Sequence, residues 1–151
     1  KEGLSSACAS FELRDAQLRD LSKCLPCEAI VYGRLPLMVT ENCLNANKSG
    51  CRYFKERPAS VPADGACASA PELTDRRGVK FPVECGEKKY STLLNSVPLH
   101  IADKDLRGLD HLILWFTRES AAECAAIAAD YCAGKKSERE RTGGLYYREL
   151  L

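Results

Sequence analysis

The chain has few aromatic residues, almost no net charge and no long apolar run. Only 7% of its 151 residues are aromatic, and 22 Lys and Arg residues nearly balance 21 Asp and Glu residues. Without a basic field, charge gives no indication of a nucleic-acid or membrane surface. No stretch approaches the roughly 18 apolar residues of a membrane span, and Lys1–Leu4 lacks the apolar core of a signal peptide. These absences predict a soluble protein with no membrane partner.

The motifs of common hydrolases are also missing. The sequence has no Ser-His-Asp arrangement, no H-E-x-x-H motif and no phosphate-binding loop. His100 and His111 stand beside apolar runs, where a structural histidine is commoner than a catalytic base. A standard hydrolase mechanism therefore has no visible machinery. Since position 1 is not Met, we expect a fragment of a longer chain.

Cysteine is what the sequence does have. Its 9 cysteines are an odd number and too few for a disulfide-built secreted scaffold, so we expect reduced thiols in a cytoplasmic protein. Four of them, Cys43, Cys51, Cys67 and Cys85, accompany a segment rich in Lys, Arg, Asn, Gly and Pro, where a packed core does not explain them. Four cysteines are typical of zinc and iron-sulfur sites. The spacing lacks the paired C-x2-C of zinc ribbons, which favours iron-sulfur, while zinc and inert buried thiols stay open.

The one C-x2-C motif, Cys24 to Cys27, suggests a thioredoxin-like redox site. Cys24 is expected at the C-terminal end of a helix, where the helix dipole disfavours a thiolate. A redox role is therefore disfavoured. Cys8, Cys124 and Cys132 are predicted to be packing residues on strand or helix faces.

Hydrophobic patterning predicts alternating strands and helices. A first β-α-β unit combines a strand over 7–13, a helix over 16–23 capped by Asp15, and a buried parallel strand over 29–32. A short helix is predicted to begin at Asp103, followed by a strand over 112–116 covered on both faces. A last helix runs from a capping box, Ser120 with Glu123, to Gly134.

A β-hairpin is predicted over 73–85. Asp75 and Gly78 suit the first and fourth positions of a type I turn. The apolar residues that alternate after the turn share one inward face with Cys85. Pro82, which has no amide hydrogen, predicts an edge strand.

The alternation predicts an α/β fold of the partial (β/α) TIM-type barrel kind, roughly the C-terminal half. Residues 1–134 would form the barrel domain, with a cysteine-bearing loop over 42–72 and the hairpin over 73–85, and residues 135–151 a charged linker and tail. A half barrel leaves open sheet edges. We therefore expect an absent N-terminal half, a partner chain, or cover by the hairpin and tail.

Polar residues near the strand ends that flank the cysteine loop could position an anionic or polar substrate. The catalytic candidates are Arg34, Glu41, Asp75, Arg76 and Asn95. Turn chemistry and surface solvation are the simpler explanation for each residue taken singly.

A series of short motifs follows one order along most of the chain. The motifs are Tyr32–Met38, Glu41–Cys43, Gly50–Cys51, Leu73–Arg76, Gly78, Phe81–Val83, Cys85, Asn95–Ser96, Pro98–Leu99, Phe116–Thr117, Glu119 and Gly144–Arg148. Together they resemble the C-terminal part of the peptidase U32 (collagenase-like) family.

The resemblance implies a β/α barrel whose N-terminal half is absent here. In some relatives four cysteines hold a [4Fe-4S] cluster, and those relatives support hydroxylation of RNA bases or of a quinone precursor. Cys43, Cys51 and Cys85 match the family motif. Many similar sequences have a further cysteine soon after the one matching Cys51, whereas this chain offers Cys67 only after an apparent insertion. A three-cysteine site, zinc and no metal therefore remain alternatives.

The expected function is iron-sulfur-dependent modification of RNA or a small molecule. The alternatives are a zinc-stabilised or metal-free interaction domain and a collagenase-like peptidase, a hydrolase for which the resemblance carries over no nucleophile. If Cys43 ends a parallel strand and Cys85 faces inward from the hairpin, both belong at the C-terminal rim of the partial barrel.

Overall fold

The computed structural model describes residues 3–21, 24–41, 71–85 and 90–144, with the backbone alone for Cys85. Contacts divide the chain into two compact units, the first made of Lys1–Arg34 with Val97–Leu151 and the second of Leu35–Ser96. The fold is mixed α/β, with a partly parallel sheet in the first unit and an antiparallel sheet in the second. Among the described strands neither sheet closes into a barrel.

The elements follow one another along both units. The strands are β1 (Ala7–Cys8), β2 (Cys27–Gly33), β3 (Pro36–Thr40), β4 (Glu72–Thr74), β5 (Lys80–Cys85), β6 (Ser91–Leu94), β7 (Leu99–His100) and β8 (His111–Trp115). The helices are α1 (Asp15–Asp20) and α2 (Ala121–Ala133).

Strand β2 is the centre of the first unit. It pairs in parallel with β1 on one side and with β8 on the other, and its end pairs antiparallel with β7. The predicted β-α-β unit is confirmed, although β1 is shorter than expected and Arg14 takes the N-cap position predicted for Asp15. Strand β2 is largely buried, and Val31 at its centre is completely covered.

Helix α2 follows β8 and has the predicted ends. The Ser120 and Glu123 side chains form a reciprocal capping box, and Gly134 ends the helix with φ 60°. Ile127 is its most buried residue. None of the helices in the described ranges has the length and apolarity needed to cross a bilayer.

The short helix predicted from Asp103 is wrong. Residues 102–110 form separate turns, closed by Lys104 N to Ile101 O at 3.0 Å and Leu109 N to Leu106 O at 3.2 Å. The Asp105 carboxylate accepts a bond from the backbone N of Arg107. Such local side-chain bonding competes with helix formation.

The prediction that β8 is covered on both faces is also wrong for the described residues. Leu112 is 41% exposed and Trp115 is 36% exposed. The described ladder pairs β8 with β2 alone, so β8 is an edge strand of this sheet.

The second unit contains an antiparallel sheet in the order β3-β6-β5-β4. The predicted hairpin is confirmed, because β4 and β5 pair from Glu72 with Pro82 to Thr74 with Lys80. Strand β5 lies between two strands, contrary to the edge position expected from Pro82. Its first half pairs with β4 and its second half, from Val83, with β6, so the β6 ladder ends beside the proline that has no amide hydrogen.

Candidate functional site

One row of residues crosses the antiparallel sheet at the ends of β3 and β5. Ser91 is opposite Thr40 of β3 on one side and opposite Cys85 of β5 on the other. Neighbouring strands are about 4.8 Å apart, so the Thr40 and Cys85 backbones lie about 10 Å from each other. Both strands end at this row, and Ser91 between them is completely buried. We call these residues the Thr40–Ser91–Cys85 row.

Of the four predicted thiolate ligands, Cys85 ends β5, whereas Cys43, Cys51 and Cys67 lie outside the described residues. In the sequence Cys43 follows Thr40 by three positions. The chain therefore leaves β3 toward Cys43 at the end of the sheet where β5 reaches Cys85.

The predicted position of this site at the rim of parallel barrel strands is wrong in one respect. The strand that precedes Cys43 is β3, which belongs to the antiparallel sheet. The parallel strand β2 has already ended at Gly33, a glycine with φ 139°. The apolar run before Cys43 thus forms two strands, β2 in the first unit and β3 in the second.

Asp75 and Arg76 lie at the other end of β5 from Cys85. They occupy the hairpin turn before Lys80, and a six-residue strand is about 17 Å long. Asp75 Oδ1 accepts bonds from Arg77 N at 2.7 Å and Val79 N at 2.9 Å. This geometry gives Asp75 a turn-forming role.

The remaining candidates are also spread out. Asn95 directly follows β6, so it lies at the C-terminal end of the strand that Ser91 begins. Its backbone N donates to Leu35 O at 2.9 Å. Glu41 is exposed and directly follows Thr40, so it is the one second-unit candidate beside the Thr40–Ser91–Cys85 row. Arg34 is half-buried in the first unit, next to the end of β2.

A polar network that the sequence did not predict joins the C-terminal ends of β2 and β8. The Tyr32 hydroxyl donates to Glu119 Oε1 at 2.9 Å. Glu119 Oε2 accepts from Thr117 N at 2.7 Å and Arg118 N at 3.0 Å. Open α/β sheets place binding sites at the carboxyl ends of parallel strands. The sequence signal is a polar Thr-Arg-Glu directly after an apolar strand, but the sequence does not show that Tyr32 reaches Glu119.

The pKa shifts in this network keep Tyr32 as the donor and Glu119 as the acceptor of their hydrogen bond. Burial raises the pKa of Glu119, but bonds from Thr117 N, the Tyr32 hydroxyl and Arg118 N outweigh burial and leave this pKa below its ordinary value. Burial, together with the bond to Glu119, raises the pKa of Tyr32. The carboxylate therefore accepts and the phenol donates over the ordinary pH range.

The C-x2-C motif lies at the opposite end of β2. Cys24 is exposed and Cys27 is buried, and Cys27 N donates to Asp110 Oδ2 at 2.7 Å. An open depression beside them is lined by Cys24, Leu25, Pro26, Gly108, Leu109 and Asp110. Helix α1 ends at Asp20, so Cys24 is not the helix terminus that was predicted.

The other cysteines differ in burial. Cys8 and Cys132 are exposed, which makes their predicted packing role wrong, whereas Cys124 is half-buried. Partial burial raises the pKa of the Cys8 thiol, with smaller contributions from Glu28 and Cys27. A raised pKa lowers the thiolate fraction and therefore the reactivity of Cys8.

No group of three or more His, Cys, Asp or Glu side chains within 3–21, 24–41, 71–84 and 90–144 is arranged to hold a metal ion. The chain matches no protein-family model, no curated protein and no solved structure.

Proposed function

We propose that this chain is the C-terminal part of a peptidase U32-like barrel enzyme that depends on an iron-sulfur cluster and hydroxylates an RNA base or a quinone precursor. The observation that carries the proposal is the Thr40–Ser91–Cys85 row, because the strand leading to Cys43 and the strand ending at Cys85 both end there, about 10 Å apart with β6 between them. The ordered motifs of the sequence support the same family.

The cluster ligands in this proposal are Cys43, Cys51 and Cys85, with Cys67 as the fourth. Three residues span at most about 10 Å, so Cys43 is within reach of a centre shared with Cys85. Four cysteine thiolates are the donor set that a [4Fe-4S] cluster requires, so these residues fit the group. When bound, such a cluster supplies one-electron transfer.

The exposed edge of β8 supports the barrel part of the proposal. Its apolar residues, including Leu112 and Trp115, are those of a strand normally covered on both faces. A further β/α unit, from an absent N-terminal half or from a partner chain, would continue the β1-β2-β8 sheet with its strand and cover the apolar residues with its helix.

Anaerobic purification followed by iron and sulfide analysis tests the cluster. We expect about four iron and four sulfide per chain after reconstitution. Cys43→Ala and Cys85→Ala should lose most of both. Cys132→Ala removes an exposed thiol of α2 and is the matched control, which should keep them. Cys67→Ala shows whether Cys67 is the fourth ligand. A colourless wild-type protein without iron would exclude the cluster.

A zinc-stabilised or metal-free interaction domain is the second candidate, favoured by the same exposed edge of β8. One zinc per chain, with unfolding on addition of a chelator, would support the zinc form because metal binding adds to folding stability. The peptidase alternative requires proteolysis of denatured collagen that a point substitution abolishes without unfolding the protein.

A further inference from the structure

His100 is a buried histidine whose ring nitrogens have no hydrogen-bond partner among the described residues. The residue is 2% exposed, and this holds for both Nδ1 and Nε2. Its ring contacts two aromatic rings, with centroid distances of 5.6 Å to Tyr32 and 5.1 Å to Tyr131. A buried polar group without a partner costs about 1–3 kcal/mol. The described residues thus enclose the imidazole ring without a hydrogen bond to either ring nitrogen.

Titratable side chains face His100 from each of the described elements packed around it. They are Tyr32 of β2, Asp130 and Tyr131 of α2, Asp103 of the turns after β7, and Arg141 of the segment after α2. The nearest carboxylate oxygen is Asp130 Oδ2, 3.6 Å from His100 Nε2, which is too far for a hydrogen bond. The positive charge of Arg141 opposes a proton on His100.

The backbone of β7 fixes the segment that follows α2. His100 N donates to Thr142 O at 3.1 Å, and Thr142 N donates to Pro98 O at 2.9 Å. Arg141 Nη1 donates to His100 O at 2.7 Å and to Asp103 Oδ1 at 3.0 Å. The end of α2 is fixed to β2 and to the residue after β7, because the Tyr131 hydroxyl donates to Val31 O and accepts from Ile101 N. His100 is therefore where both attachments meet.

We propose that His100 is an acid-operated latch: the neutral ring lets the last turn of α2 and residues Arg141 and Thr142 stay attached next to β7, and protonation loosens both. The added proton places a charge at a buried site where, among the described residues, neither ring nitrogen has an acceptor at hydrogen-bonding distance. Asp130 Oδ2, 3.6 Å from Nε2, must move closer to bond the charged ring. Arg141, held on the carbonyl of the same residue, is repelled.

The sign of the effect follows from the environment. Burial is the largest cause and lowers the pKa of His100 from 6.5; Asp130 and Asp103 oppose this shift, and Arg141 adds to it. Between that lowered pKa and pH 6.5 the unfolded chain binds more protons than the folded chain. The stability that neutral His100 permits is thus present above pH 6.5 and is lost as the pH falls through the folded-state pKa.

The chain suits a direct test because it has 2 histidines, and the second, His111, is exposed. An NMR titration of the imidazole signals in wild type and in His111→Gln assigns each midpoint. We expect His100 to titrate below pH 6.5. A His100 midpoint at or above 6.5 would overturn the proposal whatever the variants do.

Hydrogen exchange, corrected for its intrinsic pH dependence, tests the release. The amides of His100 and Thr142 should lose protection between pH 7 and pH 5, by up to about tenfold for each unit by which the His100 pKa is lowered. The Val83 amide, bonded to Pro71 O in the second unit, is the internal control and should not respond to this proton.

Two substitutions act in opposite directions. His100→Phe keeps an aromatic ring without nitrogens and should remove the loss of amide protection between pH 7 and pH 5. Asp130→Asn removes the carboxylate that favours the proton on His100 and should make that loss larger. His111→Gln should behave as wild type. A wild-type pH profile in His100→Phe, or a smaller pH effect in Asp130→Asn, would refute the latch.

Discussion

Gly33 lies so close to Trp115 that a Cβ atom added to it would be 2.5 Å from the Trp115 backbone oxygen. The two residues are opposite each other in the β2-β8 ladder, and Gly33 has φ 139°, which side chains rarely allow. The close approach of the two parallel strands at their C-terminal ends therefore depends on glycine.

Gly33→Ala should destabilise the first unit by roughly 3 kcal/mol or more, because backbone strain and a contact with backbone add. Urea unfolding followed by the fluorescence of Trp115, the 1 tryptophan of the chain, measures this loss. Gly134→Ala is the matched control: Gly134 has φ 60°, but its nearest neighbour is Ala102 O at 4.0 Å. It should cost only about 1–2 kcal/mol. Equal losses would show that the contact with Trp115 is not limiting.

The capping box makes a second prediction for the same unit. Ser120 Oγ accepts from Glu123 N at 3.4 Å, and Glu123 Oε2 accepts from Ser120 N at 2.8 Å. Ser120→Ala should cost about 1 kcal/mol in the same unfolding experiment. Ser5→Ala, at an exposed position before β1, should cost nothing measurable. A Ser120→Ala protein as stable as wild type would mean that α2 is fixed by its packing alone.

Local chemistry explains which parts of the fold could be predicted. The hairpin follows from Asp75 and Gly78, since a turn needs only its own residues, and Gly78 has the positive φ of 82° that the turn demands. The ends of α2 follow from Ser120 and Gly134 for the same reason. These elements were predicted from adjacent residues, and the structure has them.

Long-range pairing explains what could not be predicted. The near-continuous apolar run of β8 predicted that both faces of the strand are covered. Periodicity along one segment cannot show whether other elements are present to cover it. Thr40 and Cys85 are far apart in sequence and meet only through Ser91, so their proximity needed strand register. The bond from Tyr32 to Glu119 likewise depends on which strands are adjacent.

Asp75 offers a test of turn chemistry against a role in substrate binding. Asp75→Ala removes the acceptor of two backbone amides and should destabilise the hairpin by about 1–2 kcal/mol. Faster hydrogen exchange at the Val79 and Val83 amides would report the change. Arg76→Ala, at the exposed neighbouring position, should leave exchange unaltered. If Asp75→Ala leaves exchange at both amides unchanged, the turn does not depend on this carboxylate.

The hydrogen bond between Tyr32 and Glu119 leads to a prediction about the stability of the first unit. Tyr32→Phe removes a hydrogen bond to a charged acceptor and should cost about 1.5–3 kcal/mol. Glu119→Gln should also destabilise the first unit, because an amide cannot offer acceptor oxygens both to Tyr32 and to the amides of Thr117 and Arg118. The double variant should lose less than the two single losses added together, since both remove the same bond.

The pH dependence of this bond has a definite sign. Because the pKa of Glu119 lies below its ordinary 4.5 in the folded state, the unfolded chain takes up its proton first on acidification. The stability advantage of wild type over Glu119→Gln should therefore be complete above pH 4.5 and decline as the pH falls through the folded-state pKa. Unfolding of both proteins in urea between pH 3 and pH 7 measures this difference. A difference that stays constant across the range, or that grows on acidification, would show that the charge of Glu119 contributes nothing at the ends of β2 and β8.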